Sequence, residues 1–182
     1  MSYRSPYKVA DGHKYAPSIP TLFYKLTVKI LDTSYKGVFA EEFIPNGATV
    51  GIDGGTVVTS IDDVFPEKKY AVLIGEDLWL APNNYDNMET LFYLNHSCDP
   101  NLARMGSLVY VAKKNIQPGE ELIIDYAPFV TGFRNWTLEC ECKSSNCRKI
   151  ITSKDWQNPE LAKILWKEWL PFIQKKIILG NK

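Results

Sequence analysis

The 182-residue chain carries no excess charge of either sign, since 21 lysines and arginines balance 21 aspartates and glutamates. A dedicated nucleic-acid binder needs clustered surplus cation for its phosphate contacts, so this balance argues for no direct nucleic-acid partner. Doublets such as Lys113-Lys114 and Lys175-Lys176 read as solvated faces. No uninterrupted apolar run reaches the ~18 residues a membrane span needs, so no membrane partner is expected. Residues 1–20 are rich in Tyr, Pro, Ser and Lys and lack the apolar stretch of an export signal. Internal repeats and low-complexity segments are absent as well. An intracellular setting, cytoplasmic or nuclear, is therefore expected. In that reducing environment the four cysteines point to metal binding or chemistry rather than disulfides.

What is present is ordinary for a globular protein. Hydrophobic residues make up 45% and charged residues 23%, which excludes a disordered or collagen-like chain. A chain of this length buries roughly two-thirds of its unfolded surface, enough for a real core. Leu22 to Leu31 alternates apolar Leu26, Val28 and Ile30 with polar Lys25, Thr27 and Lys29, the pattern of a half-buried strand. Further short runs follow at Gly37–Ala40, Ala48–Ile52, Thr56–Thr59, Tyr70–Ile74, Leu78–Ala81, Leu108–Ala112 and Glu121–Tyr126. Turn signals such as Pro45-Asn46-Gly47 and Gln117-Pro118-Gly119 separate them. The fold class is mostly β, a β-rich α+β arrangement of several small sheets.

Helix is expected at the C-terminal end. Asn158 is a good N-cap and Pro159 fits the first helical position. Leu161, Ile164, Leu165, Trp169 and Phe172 recur at helical spacing with Glu168 as a charged intruder, and Pro171 should kink or break the helix. The organisation that results is an extended arm over 1–20, a main domain over 21–130, a cysteine-bearing segment over 131–152 and a helical extension over 153–182.

Cys140, Cys142 and Cys147 lie in the run C-E-C-K-S-S-N-C, and Cys98 stands far upstream. Four thiolates suit a structural zinc ion, whereas the bland alternative is buried free thiols or an adventitious disulfide. A site closed by four protein ligands has no open position for catalysis, so it would staple the tail to the body.

Cys98 sits in Asn95-His96-Ser97-Cys98-Asp99-Pro100-Asn101, followed by Gly119-Glu120-Glu121-Leu122-Ile123-Ile124-Asp125-Tyr126 and then the cysteine run. This order resembles the SET-domain family, the S-adenosyl-L-methionine-dependent protein lysine methyltransferases with their post-SET tail. The likeness covers roughly residues 22–150, and the motifs are specific in combination rather than singly. It implies the SET fold, in which the N-H segment passes beneath a loop as a pseudoknot. It implies S-adenosyl-L-methionine and zinc as cofactors. It makes Cys98 the fourth zinc ligand beside Cys140, Cys142 and Cys147. Asn95 would hold the methionyl end of the cofactor and His96 its adenine side. Lys36 and Gly37 would be cofactor neighbours on the first strand, where Tyr35 replaces the first glycine of the family's G-x-G. Tyr126 matches the catalytic tyrosine, which orients the acceptor amine for in-line attack on the sulfonium methyl. The implied partner is a protein carrying a target lysine, histone or non-histone.

The chain departs from the family pattern in places. Asp53-Gly54-Gly55-Thr56 stands where many members carry Y-x-G-E, so Asp53 replaces a tyrosine of the lysine channel. A carboxylate there would hold the amine in its ammonium form, which opposes methylation. Alternatively Asp53 is a turn residue, and Tyr85 or Tyr93 completes the aromatic wall. Ile124, two residues before Tyr126, is smaller than the usual Phe or Tyr and leaves room for di- or trimethylation. The residues before Thr21 contain no cysteine, so no pre-SET zinc cluster is expected. Trp156, Trp166 and Trp169 pack on the core or the zinc knuckle, or form a lid over the channel, or a homo-oligomer face through the C-terminal helix. Three functions remain open: lysine methyltransferase, a diverged enzyme using the same cofactor on a small-molecule or non-lysine acceptor, and a non-catalytic binding module.

Overall fold

The computed structural model describes residues 19–32, 35–59 and 70–180. The expected N-terminal arm, with Tyr3, Tyr7 and Tyr15, lies almost wholly outside them. In chain order the strands are β1 (Thr21–Leu22), β2 (Leu26–Ile30), β3 (Lys36–Ala40), β4 (Thr49–Ile52), β5 (Thr56–Val58), β6 (Val72–Gly75), β7 (Leu78–Ala81), β8 (Asn95–His96), β9 (Leu102–Met105), β10 (Val109–Ala112), β11 (Glu121–Ile124), β12 (Thr137–Glu139) and β13 (Ile150–Thr152). Helices are α1 (Ala127–Val130), α2 (Pro159–Ile164) and α3 (Pro171–Leu179).

The strands assemble as small sheets in the orders β1-β4-β10-β9, β2-β3-β11-β8, β5-β7-β6 and β12-β13. Alternation drives the pairing. In β3 and β11, Val38 and Leu122 are fully buried partners across the ladder. They join Ile44, Val50, Leu102 and Ile116 in the core between the two four-stranded sheets. Gly47 and Gly119 close the expected turns with φ of +81° and +86°, a conformation that glycine adopts without Cβ strain.

One pairing positions the site. β8 lies parallel to β11, with Asn95 opposite Ile123 and His96 opposite Ile124. Two residues are a short strand, and the ladder is extended by a side chain. Asn101 donates from Nδ2 to the Glu121 carbonyl at 2.8 Å and accepts from the Ile123 amide at 2.9 Å. Its carboxamide thus substitutes for a missing strand residue. Three segments distant in sequence meet there.

The sequence predicts one strand over Leu22–Leu31, but the chain breaks it into β1 and β2, which join different sheets. The strand expected to run to Tyr126 ends at Ile124, because Asp125 leaves the ladder and accepts from the Ala127 amide at 3.0 Å to start α1. At the C-terminus Asn158 and Pro159 start α2 as predicted, with Asn158 Oδ1 accepting from Glu160 and Leu161 amides. Pro171 does not kink that helix. It opens α3 at its first position, a place where its missing N–H costs nothing. Ile164, expected on the buried stripe, is 73% exposed, and Glu168 is buried instead.

Replacing Asn101 with alanine leaves the Ile123 amide and the Glu121 carbonyl unpaired. We expect a loss of about 2–4 kcal/mol in denaturant unfolding. An unchanged midpoint would show that the carboxamide does not hold β11.

Candidate active site and metal centre

The four cysteines converge. Their sulfurs all lie within 4.8 Å of one another, and Cys98 Sγ is 3.8 Å from Cys140 Sγ. Zinc–sulfur bonds of about 2.3 Å give a tetrahedron with edges of about 3.8 Å, so the residues fit zinc. Donors already point at the sulfurs. The Cys98 amide donates to Cys142 Sγ at 3.4 Å, and the Arg148 amide to Cys98 Sγ at 3.3 Å. Without a cation the group is electrostatically divided. Burial pushes the Cys98 thiol up to about 12. Burial also pushes on Cys142, but the Ser144 hydroxyl and the Cys98 and Ser144 amides outweigh it and bring that thiol down to about 5. A dication resolves this division by favouring the thiolate at every position.

A second clamp runs beside the first. Arg148, directly after Cys147, forms a bidentate pair with Asp125 at 2.6 and 2.7 Å. Burial alone would weaken the charge on Arg148, but Asp125 overrides it and raises its pKa. The tail is therefore fastened beyond β8 by a metal-type cluster and at the end of β11 by a partly buried ion pair. Trp169 and Leu165 belong to the same buried cluster as Cys98 and Cys140, and Trp156 packs against it. Buried Glu168 reaches back to Lys113 at 3.3 Å.

A cavity of about 520 Å³ opens between this tail and the sheets. Lys36, Asp53, Tyr93, Asn95, Ile124 and Tyr126 all line it, six of the residues predicted from sequence. Tyr85 lines it too, so Asp53 and both candidate wall tyrosines share one space. The Tyr126 hydroxyl donates to the Leu94 carbonyl at 2.8 Å, which aims its oxygen. Burial raises its pKa strongly, so it stays protonated. Asn95 spends both amide hydrogens on protein, one on the Lys36 carbonyl at 2.9 Å and one on Glu121 Oε1 at 2.7 Å. Its Oδ1 is thereby left as an acceptor. Gly37 does not line the cavity. It matters for close approach, because a Cβ there would sit 2.5 Å from Glu121 Oε1 and 3.1 Å from Asn95 Nδ2.

The His96 ring is likewise outside the lining. Its Nδ1 accepts from the Tyr126 amide at 3.1 Å, so the ring proton is on Nε2, which faces Cys98 Sγ at 3.5 Å. Burial, the largest influence, lowers its pKa and keeps it neutral; the 4.0 Å approach to Asp125 is not an ion pair. The imidazole thus ties the sulfur cluster to the backbone of Tyr126. Trp156, Trp166 and Trp169 do not line the cavity, which removes the lid reading for them. The tail's contribution is Trp136, whose ring meets that of Tyr126 edge-on at 6.5 Å.

Sequence reasoning missed Trp136, Arg148, Asn101, Tyr110 and Arg104. Arg104 is 1% exposed. It donates to the Leu73 and Pro128 carbonyls and lies 4.0 Å from the Phe129 ring. Burial lowers its pKa to about 10, which leaves it charged. The only available signal was an arginine inside an otherwise apolar alternation.

The sequence model of the SET domain matches residues 36–127. The chain belongs to the SET-domain family. It is 33% identical over 150 residues to a probable histone-lysine N-methyltransferase, set-23, of Caenorhabditis briggsae, covering 70% of this chain and 61% of that protein. It is 28% identical over 164 residues to the H3 lysine-9-specific histone-lysine N-methyltransferase of Schizosaccharomyces pombe, covering 68% and 32%. The chain thus spans about three-fifths or less of these relatives. KRYPTONITE, solved in complex with mCHG DNA and SAH, superposes with a TM-score of 0.56 at 27% identity, covering 71% of this chain and 29% of that one. The methyltransferase domain of human SETMAR shares the fold, with a TM-score of 0.55 at 24% identity and coverage of 71% and 58%.

Two outcomes check this site. Metal analysis should return one zinc per chain, and Cys147→Ser should lower stability on the order of 3 kcal/mol, a fall of about 10 °C in Tm at this chain length. A metal-free, fully stable protein would contradict the cluster's role. Asp53 supplies the second. Burial raises its carboxyl from 3.8 to about 7, against hydrogen bonds from Tyr110 and Gly54 that lower it. The folded state then holds a proton that the unfolded chain has released, so this contribution to stability is complete below about pH 4 and is lost as pH rises through about 7. Asp53→Asn should gain stability relative to wild type across that window, and a constant difference would contradict it.

Proposed function

We propose that the protein is an S-adenosyl-L-methionine-dependent methyltransferase acting on the ε-amine of a protein lysine. The observation that carries this reading is the convergence of Asn95, Lys36, Ile124 and Tyr126 on one cavity whose wall includes Trp136 of the tail. The SAH bound in the KRYPTONITE complexes and the H3(1-15) peptide in one of them support the cofactor and substrate class. When bound, the cofactor supplies a methyl group on a sulfonium sulfur. Asn95, fixed by Glu121 and the Lys36 carbonyl, would hold the cofactor's methionyl end through its remaining acceptor, Oδ1. Tyr35 and Lys36 line the same cavity. An acceptor amine would attack that methyl in line, so the task left to the residues of this cavity is alignment, which is worth several kcal/mol. Tyr126, kept protonated and held by Leu94, is the group that orients it.

Ile124 is 5% exposed and lines the cavity without a hydroxyl to hold a water or limit methyl number. The proposal extends to products with two or three methyl groups. The partner is a protein with an accessible lysine, with histones as the first class to test; the balanced charge supports a protein rather than direct nucleic-acid contact. An intracellular site of action accords with that substrate, and among the described residues no helix is long and apolar enough to cross a membrane. Exposed Ile164, Ile178 and Leu179 on the C-terminal extension offer the face for any self-association.

Labelled S-adenosyl-L-methionine incubated with core histones and with a cell lysate should label protein. Tyr126→Phe should lose activity on the order of a hundredfold while still binding the cofactor. Mass spectrometry should find di- or trimethyllysine. Undiminished activity in Tyr126→Phe would remove that residue from the mechanism, and monomethyl product alone at saturating cofactor would refute the role given to Ile124. Cofactor turnover without labelled protein would favour a small-molecule acceptor.

A further inference from the structure

Asp53 directly follows β4 and lines the same cavity as Tyr126, yet it is only 5% exposed. The carboxyl is held in place: Tyr110 donates to Oδ2 at 3.0 Å and the Gly54 amide to Oδ1 at 3.1 Å. Each oxygen keeps a second lone pair. Tyr110, 2% exposed, is close enough to both Asp53 and Tyr126 for each to raise its own pKa, although burial is the larger cause. Tyr110 lines the cavity as well, so the carboxyl, its hydrogen-bond donor and Tyr126 share one space. The charged groups facing Asp53 are Arg104 from β9, which favours its ionised form, and Glu89 from the segment before Thr90, which opposes it.

We propose that Asp53 is the catalytic proton acceptor for the incoming amine, an inference that rests on the lysine methyltransferase reading above. The lysine ammonium pairs with the carboxylate, an N–H bond breaks and an O–H bond forms on Asp53. The nitrogen lone pair then forms the N–C bond as the S–C bond breaks, its electron pair staying on sulfur. The product is a methylammonium, and the Asp53 proton returns to solvent before the next round. A carboxylate exposed to water would instead hold the ammonium charged. Here burial disfavours both charges and favours the neutral acid beside the neutral amine. Burial also places the carboxyl at about 7, near the working pH that suits a general base.

The test is kcat against pH from about 6 to 10 for wild type, Asp53→Asn and Tyr110→Phe, using the acceptor that labels in the assay above, with cofactor affinity measured by calorimetry. Asp53→Asn should lose on the order of a hundredfold in kcat near neutrality, with a smaller change in KM. Its rate should climb toward wild type near pH 10, where free lysine sheds its proton unaided. Tyr110→Phe removes a hydrogen bond that favours the carboxylate, so the acidic limb should move to higher pH. Both variants should keep cofactor affinity. An Asp53→Asn profile that superimposes on wild type overturns the proposal, and so does an unmoved limb in Tyr110→Phe, which alone decides should Asp53→Asn fail to fold. Cofactor binding by wild type with no transfer to any protein overturns the lysine methyltransferase reading itself, and this inference with it.

Discussion

The structure depends on a distant thiol meeting a local trio. Cys98 lies two residues beyond the two-residue strand β8, and the other three sulfurs belong to a tail that carries little apolar mass of its own. A knuckle of this size cannot bury enough surface to fold unaided. Four sulfurs converging on one point fit a dication, and the Asp125–Arg148 pair adds a directional clamp beside them. Fastened in this way, the tail places Trp136 against Tyr126 and completes the wall of the cavity. His96 belongs to this connection, since its neutral ring bridges Cys98 and the Tyr126 amide. Metal-type cluster and cavity are thus one mechanical unit.

The cavity differs from an aromatic slot in having a buried polar side. Arg104, Tyr110 and Asp53 form a chain of influence running from the sheet core to the lining. A wholly buried arginine is tolerated because backbone carbonyls, an aromatic face and nearby acids replace its hydration. Its positive charge in turn offsets part of the cost of a carboxyl in the channel. Asp53 thus sits in the cavity lining beside both Tyr85 and Tyr93, with its charge partly offset by Arg104.

Much of the site was legible because its motifs are local. Asn95-His96-Ser97-Cys98, the Asp125-Tyr126 pair and the cysteine run each keep their chemistry within a few residues, and their order along the chain identified the family. Strand positions followed from alternation, with errors at the ends where side chains take over from the ladder, as Asp125 does. The C-terminal segment misled for a similar reason. Helical spacing continued across Leu165–Trp169, but Pro171 starts a new helix instead of bending the old one, and Glu168 turned inward toward Lys113.

Asn101, Arg104, Tyr110, Trp136 and Arg148 look unremarkable in one dimension. Each acts on a partner ten or more residues away, and no local pattern encodes such a pairing. By itself the sequence determined which atoms are available: four sulfurs, a tyrosine after an acidic strand end, and a carboxyl in place of a ring. Only the tertiary structure decided which of these share a desolvated space. Proton affinity and thiolate character are set by burial and neighbours at a few ångströms, distances that exist only after the sheets and the tail have packed.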